Sequence, residues 1–436
     1  MRAGLLLLCL MPLGAAPIEL SLKRAVQVAV SPEGNARMRL SAEALRQAQS
    51  RSTQSRAALM PDVSANFTDE DLTRNLAAQG IQIAVPIPGF HIPVFVGPFN
   101  MMDARLSATQ NVFDLSTYRR FQASKVGVSA AKSDVDGTAE QVAAQVARAY
   151  LAAVRGDADV EAAQANVTLS EAVLKQAENQ KTAGTGTGIE ITRARVQLAN
   201  DRQRLLVAEN TRHAAGLQLL RAMGLRLDTE LVLTDKLKYT PVDTVTMEEA
   251  RALALKERPD LEAQKEREAT ARLSATATKM ERMPTVAAFG DYGSSGTWID
   301  NALPTRTIGV TVRIPLFDSG RREARRAESE SQYRSEKVKT NDLKEQIELD
   351  VRLALDELRS AEEQVRVSRE GLELAENELA QARRRFEAGV AIGVEVTDAQ
   401  SRLERARDNQ TAALYNYNVG RIDLAQAMGA VRKSVE

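Results

Sequence analysis

Apolar residues recur at three- and four-residue spacing through two very long stretches of this chain. Val142, Val146, Ala149 and Ala153 trace one seam, and Leu343, Ile347, Val351 and Leu355 trace the other. That spacing lines one face of an α-helix, and a seam this narrow is typical of coiled coils. No proline interrupts Asp114 to Lys181 or Asp318 to Glu387. At 1.5 Å per residue each helix would be about 100 Å long. Asp114 and Asp318 stand where an N-cap side chain can bond the free amides of a first turn. Gly184 and Gly389 supply the backbone freedom to reverse direction into a second long helix.

Four short stretches switch to period two. Asp62 to Asp71, Ala104 to Phe113 and Pro284 to Gly293 alternate with differing regularity. Thr305 to Leu316 is the clearest, with Ile308, Val310, Val312 and Ile314 set between Thr307, Gly309, Thr311 and Arg313. Period two sends one set of side chains to each face of a strand. Segments of about ten residues suffice for a tilted strand to cross a bilayer. The connection from Leu72 to Asp103 is rich in Pro and Gly and reads as a long outward loop. The second, from Ser294 to Pro304, is shorter and holds Trp298.

The pattern occurs twice. Ala183-Gly184-Thr185-Gly186-Thr187-Gly188-Ile189-Glu190-Ile191-Thr192 matches Ala388-Gly389-Val390-Ala391-Ile392-Gly393-Val394-Glu395-Val396-Thr397 at an offset of 205 residues. The same offset joins Gln141 to Gln346 and Ala222-Met223-Gly224 to Ala427-Met428-Gly429. Earlier parts match more loosely, with Ser21-Leu22 against Thr246-Met247 and Met60-Pro61 against Met283-Pro284. Each half therefore reads as short helices, Pro, strand pair, Phe-Asp, very long helix, Ala-Gly break, long helix. Such halves are rods or staves of a cylinder. Four strands cannot close a barrel in lipid, where every backbone polar group needs a partner. Copies would have to pool strands: two would give eight and a filled interior, three would give twelve and a lumen.

Composition narrows the function. The 436 residues carry 58 basic and 58 acidic side chains, and that balance argues against a general nucleic-acid binder. Arg2, the apolar run Leu5 to Met11 and the small residues Gly14-Ala15-Ala16 read as an export signal over 1–16. Cys9, the only cysteine, lies inside it after Leu8, where a lipoprotein signal would place a small residue. His91 and His213 have no Cys, His or carboxylate cluster at metal-ligand spacing. No catalytic residue, cofactor or metal is expected, and the chain does not read as an enzyme. The glycines around Gly186 lack the preceding strand and the lysine of a phosphate loop.

These features together resemble the TolC-type outer-membrane efflux proteins. The carrying residues are Pro61 and Pro284 at the strand openings, Pro315-Leu316-Phe317-Asp318-Ser319-Gly320 at the strand-to-helix junction, the Ala-Gly turns, and Arg258-Pro259-Asp260-Leu261 at a helix start. The first junction, Asn111-Val112-Phe113-Asp114-Leu115, departs from the second in lacking its proline. The resemblance implies a mainly α fold with β: a homotrimer with a shared twelve-stranded β-barrel in the outer membrane and a twelve-helix α-barrel in the periplasm. It implies an exit duct for tripartite efflux or type I secretion, with a periplasmic adaptor, an inner-membrane pump and outer-membrane lipid as partners. The plan would be periplasmic helices over 17–60, a β-hairpin with its long loop over 61–113 and a helical hairpin over 114–225. An equatorial connection over 226–283, a second β-hairpin over 284–317, a second helical hairpin over 318–430 and a tail over 431–436 would complete it.

By the same resemblance the helical turns form the periplasmic tip. Gly184, Gly186, Gly188, Gly389 and Gly393 then become candidates for adaptor docking; simple turn chemistry is the plainer reading, and both can hold. Glu395 and Asp398 lie one helical turn apart and would line the aperture, where threefold symmetry gathers six carboxylates and attracts cations. A solvated helix face is the alternative. A periplasmic adaptor with one long hairpin, or a structural coiled coil of the envelope, is the competing function. An adaptor would have one hairpin beside a β-domain, whereas this chain duplicates its hairpins.

Overall fold

The computed structural model describes residues 18–80, 94–241, 245–388, 390–391 and 393–435. The signal segment with Cys9, the middle of the first outward loop with His91, and Gly389 lie outside these. The chain divides into two units. One holds residues up to Leu45, Ala131–Ala263 and Thr340–Glu436; the other holds Arg46–Ala130 and Gln264–Lys339.

The first unit opens with β1 (Ile18–Leu20) and α1 (Leu22–Val30), followed by α2 (Ala36–Ala57), which continues into the second unit. Ser21 caps α1 by accepting from the Arg24 amide at 3.3 Å. The long helices are α3 (Leu115–Thr182) and α4 (Gly188–Met223) in the first half, and α7 (Arg321–Glu387) and α8 (Gly393–Ala427) in the second. Between the halves come β4 (Leu231–Leu233), α5 (Met247–Glu257) and α6 (Pro259–Met280), and α9 (Val431–Val435) ends the chain. Thr246 and Glu249 form a reciprocal capping box on α5.

Both seams bury as their periodicity predicts. Val142, Val146 and Tyr150 of α3 pack with Ala25, Val26 and Ala29 of α1 and with Leu219 and Met223 of α4. Ile347, Val351 and Leu355 of α7 pack with Ala250 and Ala254 of α5, Leu261 of α6 and Leu424 of α8. Removing each of Val142, Val146, Ile347 and Val351 from water contributes about 1.5–3 kcal/mol. Alanines on the short helices let these backbones approach closely. Strand β1 pairs in parallel with β4. The Tyr150 hydroxyl donates to the Leu20 carbonyl at 2.9 Å and to Asp235 at 2.8 Å. Burial first, and then the Asp235 carboxylate, push the Tyr150 pKa up.

The second unit is built on one antiparallel sheet in the order β2-β3-β5-β6, comprising β2 (Asp62–Asn75), β3 (Phe95–Phe113), β5 (Thr285–Gly296) and β6 (Leu303–Arg313). All four strands exist, but the first pair is longer than its alternation suggests. Residues 95–102, within the stretch read as an outward loop, continue β3 and pair with β2. A register shift between Leu72 and Arg74 sits opposite Gly97 and Pro98, where proline has no amide to give the ladder.

The two helix starts differ. Asp114 caps α3 directly, accepting from the Thr117 amide at 3.0 Å. Asp318 does not adjoin its helix. Ser319 and Gly320 take positive φ angles of 55° and 83°, α7 begins at Arg321, and Asp318 reaches the Arg322 amide at 3.1 Å. The Arg322 guanidinium, which donates to Asp318 at 2.7 Å and to the Pro315 carbonyl at 3.1 Å, holds this carboxyl below its ordinary pKa.

Candidate functional site

The first helical turn closes by backbone hydrogen bonds. Gly184 adopts φ +74° and its amide donates to the Lys181 carbonyl at 3.0 Å. The amides of Thr185 and Gly186 both donate to the Gln180 carbonyl, at 2.9 and 3.0 Å. A Cβ on Gly186 would approach Gln180 Cβ and the Lys181 nitrogen to 3.0 Å. Gly184 thus supplies a left-handed conformation and Gly186 a close approach. Gly188 supplies neither: it is the first residue of α4, and a Cβ there would meet only Lys181 Nζ at 3.8 Å. Glu190 reaches back to the Thr187 amide at 3.0 Å.

The second turn runs from Glu387 to Gly393. The Ala388 and Val390 amides donate to the Arg384 and Arg385 carbonyls, each at 3.0 Å. Val396, Ala399 and Leu403 of α8 pack onto Ala375, Leu379, Ala382 and Phe386 of α7, with Leu169 and Val173 of α3 against them. The structure therefore brings the two turns together. A Cβ on Gly393 would lie 3.9 Å from Glu190 of the first turn. Glu395 is half-buried and forms an ion pair with Arg385 at 3.1 Å across its turn, whereas Asp398 is exposed. Spacing along the chain singles out Glu395 but not Arg385, ten residues back on the other arm of the hairpin.

Above the turns, α3, α4 and α8 enclose a groove of about 640 Å³. Asp201 is 3% exposed and accepts from Ser170 and from Gln197, the latter at 3.0 Å. Arg204 pairs with Glu404 across the groove. Burial pushes the Asp159 carboxyl up; Arg155 at 3.6 Å opposes this and Asp408 adds to it. Among the described residues no group of His, Cys, Asp and Glu is arranged to hold a metal ion.

The sheet has two chemically distinct faces. Val63, Ala65 and Phe67 of β2 pair in register with Ala108, Leu106 and Ala104 of β3. The same face continues through Tyr292, Gly290, Ala288 and Val286 of β5 to Ile308, Val310 and Val312 of β6. The opposite face carries Ser64, Asn66, Arg105, Ser107, Asp291, Thr305 and Thr307. There Arg105 donates to Asp103 at 3.0 Å, to Asp291 and to Thr305 at 3.3 Å. No described helix is long and apolar enough to cross a membrane. The apolar sheet face, interrupted by Asp69, Gln110 and Arg306, is otherwise of a composition suited to contact with lipid.

The family model for outer membrane efflux proteins matches residues 32–225 and 250–430. The chain belongs to this family. It is accordingly an outer-membrane transport protein whose helical part lies in the periplasm, and not an enzyme. Among curated relatives, the alkaline protease secretion protein AprF of Pseudomonas aeruginosa is 23% identical over 72% of this chain and 66% of its own length, just under two thirds. The outer membrane protein TolC of Vibrio cholerae is 21% identical over 76% of this chain and 77% of its own. The fold matches the Campylobacter jejuni CmeC outer membrane channel with a TM-score of 0.80 and 15% identity, over 94% of this chain and 85% of that one.

Proposed function

We propose that three copies of this efflux-family chain assemble into an exit duct. Substrate would pass to the exterior from an inner-membrane pump and a periplasmic adaptor, in tripartite efflux or type I secretion. The observation that carries this reading is the sheet: β2 and β6 are open edges, and one face is predominantly apolar while the other is predominantly polar. An open edge is untenable in lipid, so β6 of one copy must pair with β2 of the next. Four antiparallel strands per copy keep the alternation intact around a closed ring. Three copies give twelve strands, with Arg105, Asp103 and Asp291 directed into the lumen.

The helices support pooling as well. Leu353, Val367 and Leu374 of α7 are exposed at multiples of seven residues, and Ile189 and Val196 of α4 are seven apart. Unpartnered apolar stripes at that period suit helix packing against a neighbouring copy. In such a trimer the turns at Gly184, Gly186, Gly188, Gly389 and Gly393 present the adaptor-docking tip, and Glu395 and Asp398 line the aperture. A signal at 1–16, β-hairpins at 61–113 and 284–317, helical hairpins at 114–225 and 318–430 and a tail at 431–436 fit the same plan. Export of a protein cargo draws support from the secretion role in the name of AprF.

Fractionation of expressing cells with unheated gel electrophoresis tests the assembly. The expected result is an outer-membrane species that runs as an SDS-resistant trimer and collapses to a monomer on heating. A dimer, or a soluble periplasmic monomer, overturns the proposal.

A further inference from the structure

Charge is balanced over the whole chain but not where the strands meet the helices. Residues 51–62, 111–120, 279–285 and 313–326 carry eleven Lys and Arg side chains against five carboxylates. All four stretches belong to one unit and are tied to each other. Glu281 is held between Arg120 and Arg325, the latter at 2.7 Å, and Arg282 pairs with Glu323. Asn111 donates to the Ala58 carbonyl at 3.5 Å. The carboxylates are therefore largely committed. Arg56, Lys279 and Arg321 are exposed and make no ion pair among the described residues.

Directly beside this collar the chain exposes large apolar side chains. Leu316 is 88% exposed and Phe317 87%, with Ile314 and Phe113 next to them. The apolar rim adjoins the sheet and the cations adjoin the helices. That order matches the passage from acyl chain to headgroup at a membrane surface. In a protein whose helices lie in the periplasm, it falls at the inner leaflet of the outer membrane.

We infer that this collar binds anionic phospholipid of the periplasmic leaflet. Headgroup phosphodiester oxygens accept from Arg56, Lys279 and Arg321, while Leu316 and Phe317 lie among the acyl chains. Arginine suits phosphate because its planar fork can donate two parallel bonds. Arg120, Arg282, Arg322 and Arg325 are already occupied by carboxylates or a carbonyl, Arg313 stands on the strand side of Leu316 and Phe317, and Arg51 and Arg119 lie more than a turn inside their helices, so the unpaired cations at the helix ends carry the selectivity. The inference rests on the outer-membrane placement and adds to it a choice of lipid.

Native mass spectrometry of the assembled protein in non-ionic detergent tests it, with dioleoyl phosphatidylglycerol and dioleoyl phosphatidylcholine as probes. The expected result is a preference for phosphatidylglycerol of about tenfold or more, since each basic side chain at an anionic surface adds appreciable attraction. The triple variant R56Q/K279Q/R321Q should lose that preference. R352Q/R359Q, two exposed α7 arginines far along the helix in the other unit, should keep it. If the triple variant fails to assemble, R321Q alone and a rise in salt should each reduce the preference, because headgroup attraction is screened. Equal binding of the two lipids by the unaltered protein, or a preference that survives the triple variant, overturns the inference. Fractionation of the same protein tells the two failures apart. A chain recovered from the outer membrane that binds both lipids equally refutes only the lipid choice; one absent from that membrane refutes the placement.

Discussion

Gln145 and Asp350 occupy the same place in the two halves of the chain, 205 residues apart, and each accepts from an arginine near the head of a short helix. Arg37 reaches Gln145 at 3.0 Å and Arg258 reaches Asp350 at 2.9 Å. The correspondence extends to the helix ends. Asn35 donates to the Ala222 carbonyl at 2.5 Å, and Arg258 to that of Ala427 at 3.4 Å. Gly224 and Gly429 follow with φ of 77° and 72°. Arg258 therefore does alone what Asn35 and Arg37 divide between them.

This asymmetry predicts unequal damage. Burial opposes the charge of Arg258, but Asp260 and Asp350 more than offset it and hold its pKa above the ordinary value. Arg258→Ala leaves Asp350 with Gln346 alone at 2.7 Å, removes the cation from Asp260 and frees the Ala427 carbonyl, and should cost about 1–3 kcal/mol. Arg37→Ala loses a single neutral acceptor at an exposed site and should cost about 1 kcal/mol or less. Thermal unfolding of the two variants compares them. Equal losses would show that the halves are not clamped unequally.

The seams, the direct cap at Asp114 and the turn glycine at Gly184 were legible because they depend on neighbours within one turn of chain. Residues 95–102 were not, because Pro98 and Gly97 lower their strand character and pairing with β2 restores it. Arg105 could be placed on the polar face by alternation alone. Its partner Asp291 could not, since it lies 186 residues away on another strand. The withdrawal of Asp318 from its helix turns on the left-handed backbone at Ser319, which a serine does not announce. Arg385 was invisible for the reason Asp291 was: the turn, and not the spacing, brings it to Glu395.

The sheet faces predict opposite outcomes for adjacent residues. Ile308 is on the apolar face, so Ile308→Arg places a charge in hydrocarbon and should cost about 2–4 kcal/mol near the bilayer midplane. Thr307→Arg points to the polar face beside Asp291 and should be tolerated. Recovery of SDS-resistant oligomer from the outer membrane measures both. Loss of oligomer with Thr307→Arg and survival with Ile308→Arg would reverse the facing assigned here.

The turn glycines should separate in the same way. Gly184→Ala forces a Cβ into the left-handed region and should destabilise by about 1 kcal/mol. Gly188→Ala, at the first position of α4, should be neutral or slightly stabilising because alanine favours helix. The comparison reads out as a shift in melting temperature. It also isolates docking: an adaptor affinity that falls with Gly188→Ala at unchanged stability would mark Gly188 as a contact and not a turn residue.

Asp159 gives a pH dependence of definite sign. Its carboxyl is raised in the folded protein, so the fold binds its proton more readily than the unfolded chain does. That contribution is fully present below the unfolded value of 3.8 and is lost as pH rises through the raised folded value. At neutral pH the ionised group is a liability in the groove it shares with Asp408, Asp201, Glu404, Arg155 and Arg204. Asp159→Asn should therefore raise stability at pH 7, by less than about 1 kcal/mol given its partial exposure. The gain should vanish near pH 3. A gain independent of pH would point to packing and not ionisation.

Arg385 bears on the aperture proposed at Glu395 and Asp398. Its guanidinium lies 3.1 Å from Glu395 and offsets one of the two carboxylates. Arg385→Gln keeps a polar side chain, though a shorter one, and leaves both carboxylates uncompensated. In a threefold assembly it removes three positive charges from the mouth. Cation selectivity and block by multivalent cations should both increase, whereas Glu395→Gln with Asp398→Asn should lower both. Single-channel recordings in a planar bilayer separate the cases. If Arg385→Gln and the double neutralisation both leave selectivity and block unchanged, these carboxylates are a solvated helix face and the aperture lies elsewhere.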